Sequence, residues 1–212
     1  MLKRVFFIGC LFFVFSCDKK ELTAYDKMKS DKLLSESFTD NQLKDLVTIV
    51  EFFENEICDK FNQGNKENLK SCYDKFNIQD TISFNKGEYL KFIDIESQRE
   101  MYKKIDSSTL YEIWQKGRCY PDTLKIPVNI DIKAWGSRYY RFLEKVAKKD
   151  TLFKEYALGL TYANGVSISS TASLTMNYNL YNTSDIKVRL LYAINYLSVN
   201  ENLDFRIKKP CL

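Results

Sequence analysis

Apolar residues recur at helical spacing through much of the chain after residue 39. Thr39 and Gln42 form a capping-box pattern at the start of the clearest example, residues 39–61. One face of that segment carries Leu43, Leu46, Val47, Val50, Phe53, Ile57 and Phe61. This period of about 3.6 residues predicts an amphipathic helix. Weaker patterns of the same kind predict further helices beginning after Asn65, within 85–105, over 108–116, after Ser137 and over 151–163.

Three other segments alternate apolar and polar residues, which is the period of a half-buried strand. In residues 126–132 the apolar positions are Ile126, Val128, Ile130 and Ile132, and Pro127 favours the edge of a sheet. Residues 166–180 and 186–197 alternate in the same way and predict a β-hairpin. The second arm also fits a helix capped by Ser184, and the pattern leaves that alternative open.

Together these elements predict an α+β fold, with a helical N-terminal half packed on a small antiparallel, β-containing C-terminal half. We expect one globular domain over residues 39–212. Residues 17–38 are mostly polar and charged, and we expect them to form a flexible tether.

The N-terminus carries the pattern of an export signal. Lys3 and Arg4 precede an apolar run from Val5 to Phe15, which is shorter than the roughly 20 residues that a membrane-spanning helix needs. The run ends Val14-Phe15-Ser16-Cys17, which resembles the lipobox of bacterial lipoproteins. The resemblance covers residues 1–17 alone. It implies that cleavage between Ser16 and Cys17 removes residues 1–16, and that the sulfur of Cys17 carries a diacylglycerol anchoring the chain in the cell envelope, on the periplasmic face or at the cell surface.

Composition argues against several kinds of chemistry. The chain has no histidine, which excludes a Ser-His-Asp triad, a Cys-His pair and a zinc site with histidine ligands. Loss of Lys3 and Arg4 with the signal lowers the formal net charge from +4 to +2, so no basic surface for nucleic acid is expected. No glycine-rich phosphate loop or nucleophile motif occurs. We therefore expect no enzymatic activity, catalytic residue, cofactor or metal.

The four cysteines that follow Cys17 are an even number in an exported chain, which predicts two disulfide bonds. Three pairings are possible, and we favour Cys58–Cys72 and Cys119–Cys211. The first would join two neighbouring helices through a loop of about 15 residues, worth about 3 kcal/mol on the entropic model. Buried free thiols are the alternative.

Aromatic residues supply the candidate contact surface. Trp135, Tyr139, Tyr140, Tyr178 and Tyr181 could stack on sugars or contact a protein. Aromatics that simply fill the core are the alternative.

Two polar motifs remain as candidates. Asp122-Thr123-Leu124 resembles the Asp-Thr-aliphatic acceptor of a bacterial O-glycosylation system, which implies Thr123 as a modified residue. Asp94, Glu96 and Glu100 could form an acid pair for hydrolysis. The acidic residues of 51–59 are expected on the solvated side of their helix.

The leading hypothesis is a membrane-anchored, non-catalytic envelope lipoprotein that binds another envelope protein, as an accessory or immunity-type subunit. The alternative is a glycan- or peptidoglycan-binding module that uses exposed aromatics. A hydrolase that uses carboxylates alone is the third hypothesis.

Overall fold

The computed structural model describes residues 22–66, 68–116 and 130–208, which are mostly helical with one small sheet. The elements of the first half are α1 (Ala24–Ser30), α2 (Lys32–Ser37), α3 (Asp40–Phe61), α4 (Leu69–Asn85), α5 (Ile95–Tyr102), α6 (Ser107–Ile113) and β1 (Trp114–Lys116). Those of the second half are β2 (Ile130–Ile132), α7 (Arg138–Ala147), α8 (Thr151–Ala163), α9 (Ile168–Met176), a 3₁₀ turn (Tyr178–Leu180) and α10 (Ile186–Lys208).

The expected α+β class is confirmed. β1 and β2 form a two-stranded antiparallel sheet in which Trp114 lies opposite Ile132 and Lys116 lies opposite Ile130. The predicted strand over 126–132 is therefore present at its second half, while residues 126–129 lie outside the described residues.

Helix α10 forms the centre of the core. Every residue from 188 to 201 is buried, and the helix packs against α1, α3, α5, α9 and β2. Two of its polar residues have partners inside the core: Arg189 pairs with Glu54, and the side-chain oxygen of Asn195 accepts a hydrogen bond of 3.1 Å from the hydroxyl of Tyr156. A helix that is enclosed on all sides has no polar face.

The predicted β-hairpin is wrong. Residues 168–176 form α9, and the second arm lies within α10, so the helical alternative for that arm is the observed one. The physical reason in α9 is local: Ser167 and Ser170 form a capping box that starts the helix. In α10 the alternating pattern is misleading because the residues at its polar positions are buried as well as those at its apolar positions.

The predicted flexible tether over 17–38 is also wrong for its described part. Thr23 caps α1 and Asp31 caps α2. The side chains of Met28 and Leu34 have no exposed surface, and Phe38 is 4% exposed. The folded domain therefore begins near Thr23 and not at residue 39.

Helix boundaries elsewhere follow the predicted caps with local shifts. The capping box of α3 and the expected bounds of α8 are both present, and Ser137 caps α7. Helix α4 begins after Asn68 rather than Asn65. The helix expected over 108–116 ends at Ile113, and its last three residues form β1 instead.

The disulfide bond between Cys58 and Cys72 is present, with the two Cα atoms 4.9 Å apart. It joins the last turn of α3 to the first turn of α4 and supports the favoured pairing. Cys119 and Cys211 lie outside the described residues.

Candidate functional site

A groove of about 610 Å³ lies between α3 and α5 and is the candidate site. Of the described residues that line it, five are carboxylates and one is a lysine. These charged residues are Glu51, Glu56, Asp94, Glu96, Glu100 and Lys104. We call this feature the acidic groove.

The α3 wall of the acidic groove is oriented by a buried ion pair. Glu54 is 7% exposed and faces away from solvent, into the core. Its two carboxylate oxygens accept hydrogen bonds of 2.5 and 2.6 Å from the guanidinium of Arg189 on α10. The Tyr73 hydroxyl donates a third bond of 3.1 Å. Together with the buried apolar face of α3, these contacts fix the rotation of the helix, so that Glu51 and Glu56 lie in the groove instead of the core.

The α5 wall is held by two further contacts. The carboxylate of Asp94 caps α5 by accepting a hydrogen bond of 2.8 Å from the backbone amide of Ser97. The side-chain amide of Gln98, which has no exposed surface, donates to the backbone oxygen of Leu197 on α10 at 2.9 Å. With Gln98 turned inward, Glu96 and Glu100 lie on the groove side of the helix.

The charges in the acidic groove affect one another. Burial raises the pKa of Glu56, and the negative charges of Asp59 and Asp94 raise it further. The hydrogen bonds from Ser97 hold the pKa of Asp94 below its usual range. Two of the carboxylates are partly neutralised by neighbours on the exposed surface, Glu100 by Lys103 at 2.6 Å and Glu96 by Arg99 at 3.0 Å. The groove keeps an excess of carboxylates over cations, which favours a cationic ligand.

The predicted acid pair is only partly supported by this geometry. Asp94, Glu96 and Glu100 do lie together, and the structure adds Glu51 and Glu56 from the facing helix. However, a carboxylate oxygen of Asp94 is engaged in capping α5. Within the described residues, no group of three or more acidic or cysteine side chains is arranged to hold a metal ion. The arrangement is suited to binding positive charge.

A second groove, of about 440 Å³, lies between α4 and residues 178–184. Its lining is rich in polar side chains and includes Lys70, Asp74, Asn77, Tyr178, Asn179, Tyr181 and Asn182. The Oδ1 atom of Asn77 has no hydrogen-bond partner, and that residue is 2% exposed. We call this feature the amide groove.

The predicted aromatic surface is not a single surface. Tyr139 has no exposed area, while Tyr140 and Tyr181 are 8% and 5% exposed, so these three belong to the core. Trp135 is 59% exposed, but of the other four it contacts only Tyr140, at 6.1 Å between ring centroids. Tyr178, which is half-buried, and Tyr181 both line the amide groove.

The remaining predicted sites lie outside the described residues. They are the predicted signal peptide with Ser16, the lipidation candidate Cys17 and the glycosylation candidate Thr123. Within the part of the chain that the structure describes, no helix combines the length and the apolar character needed to cross a membrane. Comparison with protein-family models, curated proteins and solved structures finds no match for this chain.

Proposed function

We propose that this chain is a lipid-anchored envelope lipoprotein without catalytic activity, and that its acidic groove binds a basic segment of another envelope protein. The observation that carries the proposal is the convergence of five carboxylates from two helices on one groove with a single lysine. Such a protein would serve as an accessory or immunity-type subunit of its partner.

The lining of the acidic groove supports a segment of protein as the ligand. Phe52 and Met101 also line it, so apolar contacts accompany the charges. Complementary charge speeds association and selects the partner, while apolar contacts slow dissociation. A chain segment with alternating lysine and apolar side chains has this chemistry.

Charge reversal in the groove tests the proposal. The purified protein is titrated with a fluorescent peptide in which lysine and leucine alternate. Replacing Glu51 and Glu56 by Lys is expected to weaken binding at least tenfold, about 1.4 kcal/mol. The matched control reverses Glu144 and Glu155, which are exposed on α7 and α8, and thus makes the same change in net charge. Equal binding by both variants would contradict the proposal.

The natural partner is then sought by crosslinking in intact cells. The lipidated protein is compared with the groove variant and with the control variant. We expect one protein to be recovered in stoichiometric amount with the wild type and with the control, and to be lost with the groove variant. Recovery that does not depend on the groove would contradict the assignment of the site.

The anchor is tested separately. Replacing Cys17 by Ala is expected to leave an uncleaved precursor that incorporates no labelled fatty acid. Normal processing of that variant would contradict the lipobox assignment and with it the proposed location.

A glycan- or peptidoglycan-binding role is the second candidate, and the amide groove favours it. Asparagine side chains both donate and accept hydrogen bonds, as sugar hydroxyls require, and Tyr178 offers a partly exposed ring for stacking. Calorimetric titration with soluble peptidoglycan fragments tests this role. Binding that is lost in Tyr178→Ala but kept in Tyr162→Ala, whose side chain is 87% exposed on α8, would favour the glycan.

A further inference from the structure

We infer that the N-terminal end of α1 rests against the membrane surface, with Leu22 at the contact. The inference rests on the proposed lipidation of Cys17. It adds an orientation to that proposal, because it states which face of the domain meets the lipid.

The number of residues between Cys17 and the folded domain limits the distance between the membrane and the start of α1. Five residues, 18–22, separate Cys17 from Thr23. Thr23 already belongs to the folded domain: its hydroxyl accepts a hydrogen bond of 3.1 Å from the backbone amide of Asp26, and its own amide donates one of 3.1 Å in return. Even a fully extended chain spans at most about 22 Å over these six steps.

Helix α1 cannot lengthen this connection without loss of its packing. Met28 on α1 has no exposed surface, and the helix packs against α3 and α10. At its other side the hydroxyl of Tyr25 donates to Asp40 at 2.8 Å, and Lys29 pairs with the same carboxylate at 2.5 Å. Unwinding α1 would expose Met28 and break both contacts.

The domain is large compared with this connection. A compact domain of about 190 residues is roughly 40 Å across. A connection of half that length keeps the start of α1 near the headgroups and holds the opposite face away from them. Leu22, which is 57% exposed at this end, supplies an apolar side chain suited to the interface.

Tryptophan quenching measures the contact. Lipidated, full-length Leu22→Trp protein is placed in vesicles of phosphatidylethanolamine and phosphatidylglycerol whose acyl chains carry bromine, a short-range quencher. The wild type, with Trp114 and Trp135, supplies the baseline. We expect most of the added emission to be quenched. Inserting about 20 Gly and Ser residues before position 22 adds about 25 Å of average reach, and should remove the extra quenching.

The outcomes separate this inference from the anchor itself. Flotation with the vesicles reports the lipid anchor independently of quenching. Anchored protein whose added tryptophan is not quenched, or is quenched equally after the insertion, overturns the proposed contact and leaves the anchor in place. Protein that does not float with the vesicles overturns the anchor and the contact together.

Discussion

Removing either partner of the buried ion pair between Glu54 and Arg189 should strongly destabilise the domain. Both residues are nearly inaccessible, at 7% and 6% exposure, and their side chains make two hydrogen bonds of 2.5 and 2.6 Å. Replacing Arg189 by Met leaves the carboxylate of Glu54 buried without its counter-charge. We expect the free energy of unfolding to fall by about 3–5 kcal/mol.

Removing both charges should cost much less. In the double variant Glu54→Gln, Arg189→Met, a neutral amide can still accept the hydrogen bond of 3.1 Å from the hydroxyl of Tyr73. The desolvation penalty of both ions is then absent along with their attraction. We therefore expect the double variant to lie within about 2 kcal/mol of the wild type, closer than Arg189→Met alone.

Urea unfolding followed by circular dichroism, with the disulfide bond intact, measures these differences. The control removes an exposed pair: Lys32 and Glu36 lie 3.8 Å apart, and their side chains are 85% and 52% exposed. Glu36→Gln should cost less than about 0.5 kcal/mol. The reasoning is refuted if Arg189→Met costs as little as this control, or if the double variant is no more stable than the single one.

The other predictions concern the rest of the fold. Replacing Cys58 and Cys72 together by Ala should lower the free energy of unfolding by about 3 kcal/mol, since their bond closes a loop with a sequence separation of 14. Met28→Ala should cost about 2–5 kcal/mol in the same assay, because the side chain is fully buried. Burial raises the pKa of the Asp80 carboxyl. At this carboxyl the folded state then binds more protons than the unfolded state, so the contribution of Asp80 to stability should fall as pH rises from about 4 through its folded pKa. The free energy of unfolding of Asp80→Asn, measured across the same pH range, should not show that fall.

Each of these predictions has a result that would contradict it. Unchanged stability after loss of the disulfide would show that the bond adds nothing to the packing of α3 on α4. A cost below about 0.5 kcal/mol for Met28→Ala would restore the tether interpretation. For Asp80, the hydroxyls of Thr175 and Tyr196 donate at 2.6 and 2.5 Å, and an asparagine oxygen can accept the same bonds. The difference between wild type and variant thus reports the charge, at about 1.4 kcal/mol per unit of pKa. If the free energies of unfolding of the wild type and Asp80→Asn change in parallel with pH, the raised pKa of Asp80 is contradicted.

The helices that could be predicted from the sequence are those with one solvated face and a local capping signal. Helix α3 has both, with Thr39 and Gln42 at its start, and Ser137 marks α7 equally well. Over its buried residues 188–201, α10 has no solvated face, and the chain before it carries no capping pattern that excludes a strand. Its polar residues Arg189 and Asn195 resemble the outward positions of a strand, but both are buried and have partners. Their partners, Glu54 and Tyr156, come from distant helices, so no local pattern could show that these positions face inward.

The acidic groove was hidden from the sequence for a related reason. Each wall has its own local explanation: Glu51 and Glu56 belong to the solvated side of α3, and Asp94 caps α5. Their juxtaposition depends on α10, because Arg189 orients one wall and the backbone of Leu197 holds the other. A sequence pattern indicates which face of a helix meets solvent. It does not indicate which other helix lies on the opposite side of a groove. Because α10 supports both walls, Arg189→Met should also weaken peptide binding to the groove, although Arg189 lies outside the groove lining.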